Sequence, residues 1–248
     1  MIFPIVKIFP AITLISQYIS NMINEGIASS GHGDYFSIAL SGGSTPREVY
    51  SYLATLKDKP LDWQKVRLFW GDERCVGPDS PESNYRMVKE SLLDHIDITD
   101  SNVVRIKGEK DPSSEAARYA ETVKFLLPHE NNTPRFDLVM LGLGEDGHTA
   151  SIFPEHIRFF QTNELFVATR NPYNGQQRIT ATGKLINQAK TVVFIVAGSS
   201  KAKIAANVIE NKARAKKYPA SLVHPVSGKL IWLLDEEAAG GLERDLFM

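Results

Sequence analysis

The sequence predicts an α/β protein with a mostly parallel, Rossmann-like sheet and helices on both faces. Short apolar runs alternate with helix-like stretches along the whole chain, which is typical of this class. The apolar runs lack the polar–apolar alternation of half-exposed strands, so we expect them to be parallel and covered on both sides. The chain has 248 residues, of which 43% are hydrophobic, and can therefore fill a substantial core.

The first two elements are a short strand over Ile5–Phe9 and an amphipathic helix over Ala11–Ala28. Lys7 interrupts the apolar N-terminal stretch, and Pro4 and Pro10 break it. No uninterrupted apolar run therefore approaches the roughly 20 residues that a membrane span requires. We expect a cytoplasmic protein with no membrane partner.

The following elements continue the alternation without a repeat or a long linker, so we expect a single domain over residues 1–248. Uninterrupted apolar runs predict strands at 36–40, 66–70, 103–106, 136–142, 165–169, 191–198 and 229–235. Helical patterns predict helices at 46–56, 85–95, 111–127 and 200–210. Pro46 supports its helix because proline is favoured at a first helical position.

Charge and cysteine content exclude several classes of function. The formal net charge is −1, so no overall field would attract the protein to nucleic acid or to an anionic membrane. An anionic substrate would have to be held by a local cluster of cations. Cys75 is the only cysteine, which excludes an intramolecular disulfide and argues against a cysteine-based metal site. A reducing compartment fits this composition.

The unusual residues of the chain follow the predicted strands. In parallel α/β sheets, ligands bind beyond the carboxyl ends of the strands. We therefore expect the loops after residues 40, 70, 141 and 197 to converge on one crevice.

The loop after residue 40 reads LSGGSTP and is a candidate anion site. Gly42 and Gly43 let backbone amides face outward, and Ser44 and Thr45 add hydroxyl groups. The helix that follows supplies unpaired N–H groups and the positive end of its dipole. The alternative is an ordinary Gly-Gly turn with Ser/Thr capping. No lysine occupies the G-K-[ST] position, so the loop is not a P-loop.

The loop after residue 141 reads GLGEDGHTAS and carries a candidate general base. Its glycines resemble a dinucleotide fingerprint, but the acidic pair would repel a pyrophosphate, so we expect no Rossmann cofactor. His148 can accept a proton near neutral pH, and Asp146 can orient its ring. The alternative is a histidine that caps the following short helix.

Further charged residues complete the candidate site. The loop after residue 70 contains Asp72, Glu73 and Arg74, which in isolation indicate a solvated loop with weak local pairing. Arg178 and Lys201 supply cations and, taken singly, resemble surface charges. Lys201 nevertheless follows a buried strand, on the side where an anion at the 41–45 loop would lie.

Taken together, these motifs resemble the glucosamine-6-phosphate isomerase/6-phosphogluconolactonase superfamily, and within it the 6-phosphogluconolactonase branch. The matching strings occur in the family's order along nearly the whole chain. They are LSGGSTP, GDER, SNYRM (83–87), LGLGEDGHTASIFP, RIT, AGSSKA, PASLV (219–223) and IWLLDEEAA (231–239).

The resemblance implies a NagB/RpiA/CoA transferase-like fold with a small additional α/β lobe. It also implies hydrolysis of 6-phospho-D-glucono-1,5-lactone, a small-molecule sugar-phosphate lactone, in the oxidative pentose phosphate pathway. No metal or cofactor is implied, and we expect a monomer or weak homodimer. The implied phosphate site comprises Ser41, Gly42, Gly43, Ser44, Thr45, Arg178 and Lys201. The implied reaction centre comprises His148, Asp146, Arg74 and Asp72.

One position and one segment distinguish this chain from other members of the superfamily. The deaminase branch uses a glutamate five residues after the motif histidine, where this chain has Phe153, so the lactonase interpretation is favoured. Family members often carry a lysine- and proline-rich stretch before the RIT arginine, whereas residues 171–177 here read NPYNGQQ. A non-catalytic sugar-phosphate sensor is the remaining alternative, and it would not need His148 beside Asp146.

Overall fold

A computed structural model describes residues 4–31, 34–56, 60–211 and 215–243. The strands are β1 (Ile5–Phe9), β2 (Phe36–Leu40), β3 (Val66–Trp70), β4 (Asp72–Arg74), β5 (Val103–Val104), β6 (His129–Glu130), β7 (Thr133–Pro134), β8 (Leu138–Leu141), β9 (Phe166–Arg170), β10 (Gln177–Ala181), β11 (Thr191–Val196) and β12 (Lys229–Asp235). The α-helices are α1 (Ile12–Ser29), α2 (Ser44–Ala54), α3 (Asn84–Ser91), α4 (Pro112–Leu126), α5 (Gly183–Ile186), α6 (Ala202–Ile209) and α7 (Glu236–Ala239).

Seven parallel strands form the main sheet, in the order β1-β12-β11-β8-β2-β3-β5. Every residue of β2 and β8 is buried, as expected for central strands covered on both faces. The prediction of a mostly parallel α/β sheet is confirmed.

The strand order reverses between β2 and β8, which lie side by side with Ile38 opposite Leu138. The chain builds the sheet outward from β2 through β3 to β5, and then returns to the other side of β2 with β8, β11 and β12. Such a switch point opens a crevice outside the carboxyl ends of the two neighbouring strands. The loops after β2 and β8 therefore meet at the sheet edge.

Helix α1 buries an apolar stripe against this sheet. In α1 the isoleucines at 15, 19, 23 and 27 are buried, and their four-residue spacing puts them on one helix face. α4 begins where the Asp111 side chain accepts a hydrogen bond from the Ser114 amide, with Pro112 in the first turn. Within the described residues, no helix has the length and apolarity needed to cross a bilayer.

A second, antiparallel sheet of β4, β10 and β9 is the additional α/β lobe beside the main sheet. α4 packs against it, with the rings of Tyr119 and Phe166 in an edge-to-face contact at 4.8 Å. The sequence indicated a loop at 72–74, but the structure has a strand there. Three charged residues carry no apolar run, and only their pairing with 178–180 makes them a strand.

Some element boundaries also differ from the sequence-based expectation. α2 begins at Ser44 instead of Pro46, and the strand expected at 103–106 is reduced to Val103–Val104. The helix expected at 85–95 ends at Ser91, where a 3₁₀ turn continues the chain. Helix ends are weakly specified by local sequence, because capping and tertiary contacts set them.

Candidate active site

The crevice at the carboxyl edge contains a cavity of about 220 Å³. Residues from the loops after β2, β3, β8 and β11 line it together. The sequence-predicted residues among them are Ser41, Gly42, Gly43, Ser44, Thr45, Asp72, Arg74, His148, Arg178 and Lys201. The remaining predicted residue, Asp146, is not among the lining residues, but its carboxylate contacts His148 Nδ1. The structure thus gathers segments that are up to 160 positions apart in sequence.

A larger groove of about 850 Å³ lies between α4 and the strand β9. None of the predicted site residues, all of which belong to the described part of the chain, lines this groove. Size alone therefore does not identify the chemical site, and the smaller cavity is the candidate because charged and hydroxyl groups converge on it.

The first residues of the 41–45 loop are held by Tyr50 and packed closely against Asn84. The Ser41 amide donates to the Tyr50 hydroxyl at 3.0 Å, and that hydroxyl donates to the Ser41 carbonyl at 2.9 Å. Gly43 has φ +110° and precedes the first residue of α2. A Cβ at Gly42 would overlap the Asn84 side chain. The helix therefore begins at the cavity wall, so its positive end faces the cavity.

His148 and Asp146 form a hydrogen-bonded pair. One carboxylate oxygen of Asp146, Oδ1, lies 2.6 Å from His148 Nδ1 and also accepts from the His148 amide at 3.1 Å. An ionised carboxylate only accepts hydrogen bonds, so the proton is assigned to Nδ1 and Nε2 is left as the basic nitrogen. The implied reaction centre includes two carboxylates, Asp146 and Asp72, and the one that contacts the histidine is Asp146.

The glycines of the 142–148 loop make room for this pair. A Cβ at Gly144 would overlap the His148 imidazole and approach the Asp146 carboxylate. Gly147 has φ +81° and packs against the Tyr218 ring. The Gly147 amide donates to the Gly144 carbonyl at 2.9 Å, which closes the turn. The loop contains several glycines because the Asp146 and His148 side chains pack against its own backbone within one tight turn.

The Asp146 carboxylate is held in its ionised form. Burial by itself raises its pKa, but hydrogen bonds from His148 and from the Tyr173 hydroxyl, the latter at 2.6 Å, outweigh burial and hold the pKa well below the usual range. Tyr173 belongs to the 171–177 segment that departs from the family pattern. Sequence analysis did not assign it to the site.

Asp72 is buried in a separate polar cluster and has no hydrogen bond to His148 among those that the structure gives. Its Oδ2 accepts from the Ser151 hydroxyl at 2.6 Å, and its backbone carbonyl accepts from the Asn84 side chain at 3.0 Å. Arg178 donates to the same Ser151 oxygen at 3.3 Å. Asp72 therefore holds the Ser151 hydroxyl that contacts Arg178 at the cavity wall.

Glu73 is a structural support that sequence analysis missed. Its carboxylate accepts from the backbone amides of Arg74, Asn84 and Tyr85 at 2.7 Å each, and from the Ser83 hydroxyl at 3.1 Å. Burial raises its pKa, whereas these hydrogen bonds act in the opposite direction. The contacts join β4 to the first turn of α3 and hold Asn84 against the glycine loop. The sequence carries no local signal for it, because residues 72–74 are all charged and show no polar–apolar alternation.

Two arginines are directly opposite each other across the second sheet. Arg74 of β4 pairs with Arg178 of β10, and both line the cavity. Like charges at such paired positions are destabilising, and here the buried Asp72 carboxylate offsets the repulsion at Arg178. Burial lowers the pKa of Arg178, so this guanidinium is short of solvation. The pair favours a ligand of negative charge.

Lys201 approaches the cavity from the main sheet. Its amino group lies 3.6 Å from the carboxylate of Glu145, a largely exposed side chain. The turn before it is fixed by Asp235, whose carboxylate accepts from the Gly198 amide at 2.9 Å. Lys201 thus follows a hydrogen-bonded turn, and its ion-pair partner is the carboxylate of an exposed side chain.

Other reactive groups have less suitable surroundings. Burial, and to a smaller extent the neighbouring Glu73 carboxylate, raises the pKa of the Cys75 thiol to about 11, so the thiolate is disfavoured. Across the described ranges, no three His, Cys, Asp or Glu side chains cluster so that they could hold a metal ion.

The fold and the site define an α/β protein with a crevice at the switch point of its sheet, where Arg74, Arg178 and Lys201 lie beside a histidine–aspartate pair. Comparison with known proteins agrees with this class. A family model described as glucosamine-6-phosphate isomerases/6-phosphogluconolactonase matches residues 11–232, and the chain belongs to this family.

Several relatives are similar over most of their length. A 6-phosphogluconolactonase from Synechocystis is 41% identical over 226 residues, which is 90% of each chain. One from Haemophilus influenzae is 41% identical over 202 residues, covering 81% of this chain and 85% of the relative. The structure of 6-phosphogluconolactonase from Trypanosoma brucei superimposes with a TM-score of 0.84 at 30% identity, covering 98% of this chain and 100% of that one.

Proposed function

We propose that this chain hydrolyses 6-phospho-D-glucono-1,5-lactone to 6-phospho-D-gluconate, the second step of the oxidative pentose phosphate pathway. The observation that carries the proposal is the shared cavity, where the His148–Asp146 pair and three cationic side chains surround the N-terminus of α2. The names of the relatives support the same substrate.

The phosphate is proposed to bind between the 41–45 loop, Arg178 and Lys201. The helix N-terminus and the loop hydroxyls suit the phosphoryl oxygens, and the two cations balance the dianion. Binding would displace Glu145 from Lys201 and relieve the unfavourable opposition of Arg74 and Arg178. Energy from this remote contact would then position the lactone ring for reaction.

The reaction is proposed to proceed by general-base catalysis. His148 Nε2 takes a proton from water as the water oxygen attacks the lactone carbonyl carbon, C1. The tetrahedral intermediate collapses with cleavage of the bond between C1 and the ring oxygen, and the imidazolium returns its proton to that oxygen. Asp146 holds the imidazole with its other proton on Nδ1 and stabilises the transient positive charge.

Arg74 is proposed to stabilise the negative oxygen that develops on C1, and the carboxylate of the product. Its guanidinium is fixed because Nη1 donates to the Glu82 carbonyl at 2.5 Å. A donor that is already oriented stabilises developing charge without reorganisation. Asp72 is proposed to act indirectly, by keeping Ser151 and Arg178 in place around the phosphate.

A deaminase-like isomerisation is disfavoured by Phe153. This residue occupies the position where the deaminase branch carries a glutamate, and it is fully buried. Its ring lies 4.7 Å from the His148 imidazole. A phenyl ring cannot transfer the proton that opening and isomerising an amino sugar requires.

The experiment is a time course of lactone disappearance, corrected for spontaneous hydrolysis. We expect catalysis by the wild-type protein, and His148→Ala should lose at least about 100-fold in turnover, the lower limit of a general base. Saturable binding of the lactone without turnover would instead indicate a sugar-phosphate sensor. Ammonia release from glucosamine 6-phosphate would indicate the deaminase.

We also propose that the protein acts in the cytoplasm as a monomer or weak homodimer. The free thiol of Cys75 fits a reducing compartment. Sedimentation at working concentration would test the oligomeric state, and a stable higher oligomer would contradict it.

A further inference from the structure

The 171–177 segment reaches the histidine–aspartate pair through Tyr173. This side chain is 70% exposed, yet its hydroxyl donates to Asp146 Oδ2 at 2.6 Å. Its ring also packs edge to face on Phe153, with the centroids 6.1 Å apart. Phe153 in turn packs against the His148 imidazole. One exposed tyrosine thus contacts both the acid and the aromatic ring that support the candidate base.

The hydroxyl completes the coordination of the carboxylate. Asp146 Oδ1 is occupied by the amide and Nδ1 of His148, and Oδ2 is occupied by Tyr173. With a donor on each oxygen, rotation of the carboxylate would break hydrogen bonds on both sides. The imidazole orientation therefore depends on the tyrosine as well as on the aspartate.

The loop presents Tyr173 from a structured turn. The Tyr173 amide donates to the Asn171 side chain at 2.9 Å, and the Gly175 amide donates to the Asn171 carbonyl at 2.9 Å. The Gln176 side chain donates to Glu82 at 2.9 Å and so ties the turn to the segment between β4 and α3. These contacts limit the freedom that an exposed aromatic side chain would otherwise have.

We propose that Tyr173 is a positioning residue of this enzyme. It acts through Asp146 to hold the His148 ring in the tautomer and orientation in which Nε2 faces the substrate. This inference rests on the proposed function, because it assumes that His148 is the base.

The test is Tyr173→Phe, which removes the hydroxyl and keeps the ring. We expect kcat to fall about 3- to 10-fold. This is less than the loss of a buried charge-assisted hydrogen bond would cause, because solvent screens the exposed Tyr173 side chain. KM should stay within about twofold, since Tyr173 is not placed on the phosphate. Tyr35→Phe is the matched control. Tyr35 is partly exposed and precedes β2 at the opposite edge of the sheet, so kcat should not change.

A double-mutant cycle separates positioning from a general structural effect. In an Asp146→Asn background, Tyr173→Phe should change kcat by less than about twofold, because the tyrosine acts only through the carboxylate. If the loss of kcat in the double variant equals the product of the two single-variant losses, the proposal is overturned. A wild-type kcat in Tyr173→Phe alone would also overturn it.

A spectroscopic readout does not depend on activity. In ¹⁵N-histidine-labelled protein, the Nδ1–H proton of His148 should exchange with water faster in Tyr173→Phe than in wild type or Tyr35→Phe. Unchanged exchange would overturn the inference even if the wild type is an active lactonase. Conversely, an inactive wild type with the expected exchange difference would refute the proposed function and leave the Tyr173–Asp146–His148 linkage supported.

Discussion

Replacing Asp146 by asparagine tests the role of the histidine–aspartate pair most sharply. The substitution keeps the size of the side chain but removes the charge that accepts three hydrogen bonds, two from His148 and one from Tyr173. An asparagine can keep its oxygen toward Nδ1 as a neutral acceptor. If its amide turns instead, the NH₂ group donates to Nδ1 and forces the proton onto Nε2, which disables the base.

The expected size of the effect follows from the contact that is lost. The Asp146 side chain is 20% exposed and the His148 side chain 31% exposed, so solvent screens the pair only in part. A hydrogen bond to a charged group contributes about 1.5–3 kcal/mol. If that difference applies in the transition state, kcat falls about 10- to 150-fold.

The assay is the initial rate of lactone hydrolysis over a range of substrate concentrations, with spontaneous hydrolysis subtracted. Glu121→Gln on the exposed face of α4 is the matched control, because it removes a carboxylate remote from the crevice. A kcat for Asp146→Asn within about twofold of wild type, in a protein with an unchanged unfolding midpoint, would refute the assigned role.

Three further predictions concern affinity, stability and pH. Lys201→Ala should raise KM about 10- to 150-fold, because one charge-assisted contact with the phosphate is lost. Glu145→Gln should lower KM, because it removes the carboxylate that competes for Lys201. An unchanged KM in Lys201→Ala would contradict the proposed phosphate site. Glu73→Gln should reduce the free energy of unfolding by about 2–4 kcal/mol, because an NH₂ group would face buried amide donors. Urea titration measures this free energy, and an unchanged unfolding midpoint would contradict the role of Glu73 in joining β4 to α3. Since the pKa of Asp146 is lowered in the folded state, its ionised form contributes stability above the usual aspartate pKa of about 4, and that contribution is lost as the pH falls through the folded-state pKa. The stability difference between wild type and Asp146→Asn should therefore shrink between pH 5 and pH 2, and a constant difference would contradict the lowered pKa.

The sequence predicted the main sheet and the position of the crevice because both leave local signals. Buried parallel strands are continuous apolar runs, and the glycine- and serine-rich turn at 41–45 directly follows one of them. His148 and Asp146 are two residues apart, so their contact is nearly local. The convergence of distant loops followed from a general rule about parallel sheets.

The second sheet and its supporting residues could not be predicted in this way. β4 has three residues, all charged, and it forms only because β10 pairs with it about 100 positions later. Without that pairing, nothing distinguishes the buried Glu73 from its neighbours in a solvated loop. Tyr173 lies in a loop with several turn-forming residues, and its contact with Asp146 depends on tertiary placement alone.

A crystal structure with 6-phosphogluconate bound is the most direct test of the central claim that one crevice joins a phosphate site to a general base. We predict that the phosphate lies at the N-terminus of α2 within hydrogen-bond distance of the 41–45 loop and Lys201. The C1 carboxylate should lie within hydrogen-bond distance of His148 Nε2. A phosphate bound elsewhere, or C1 beyond the reach of a single bridging water from His148, would contradict the proposed mechanism.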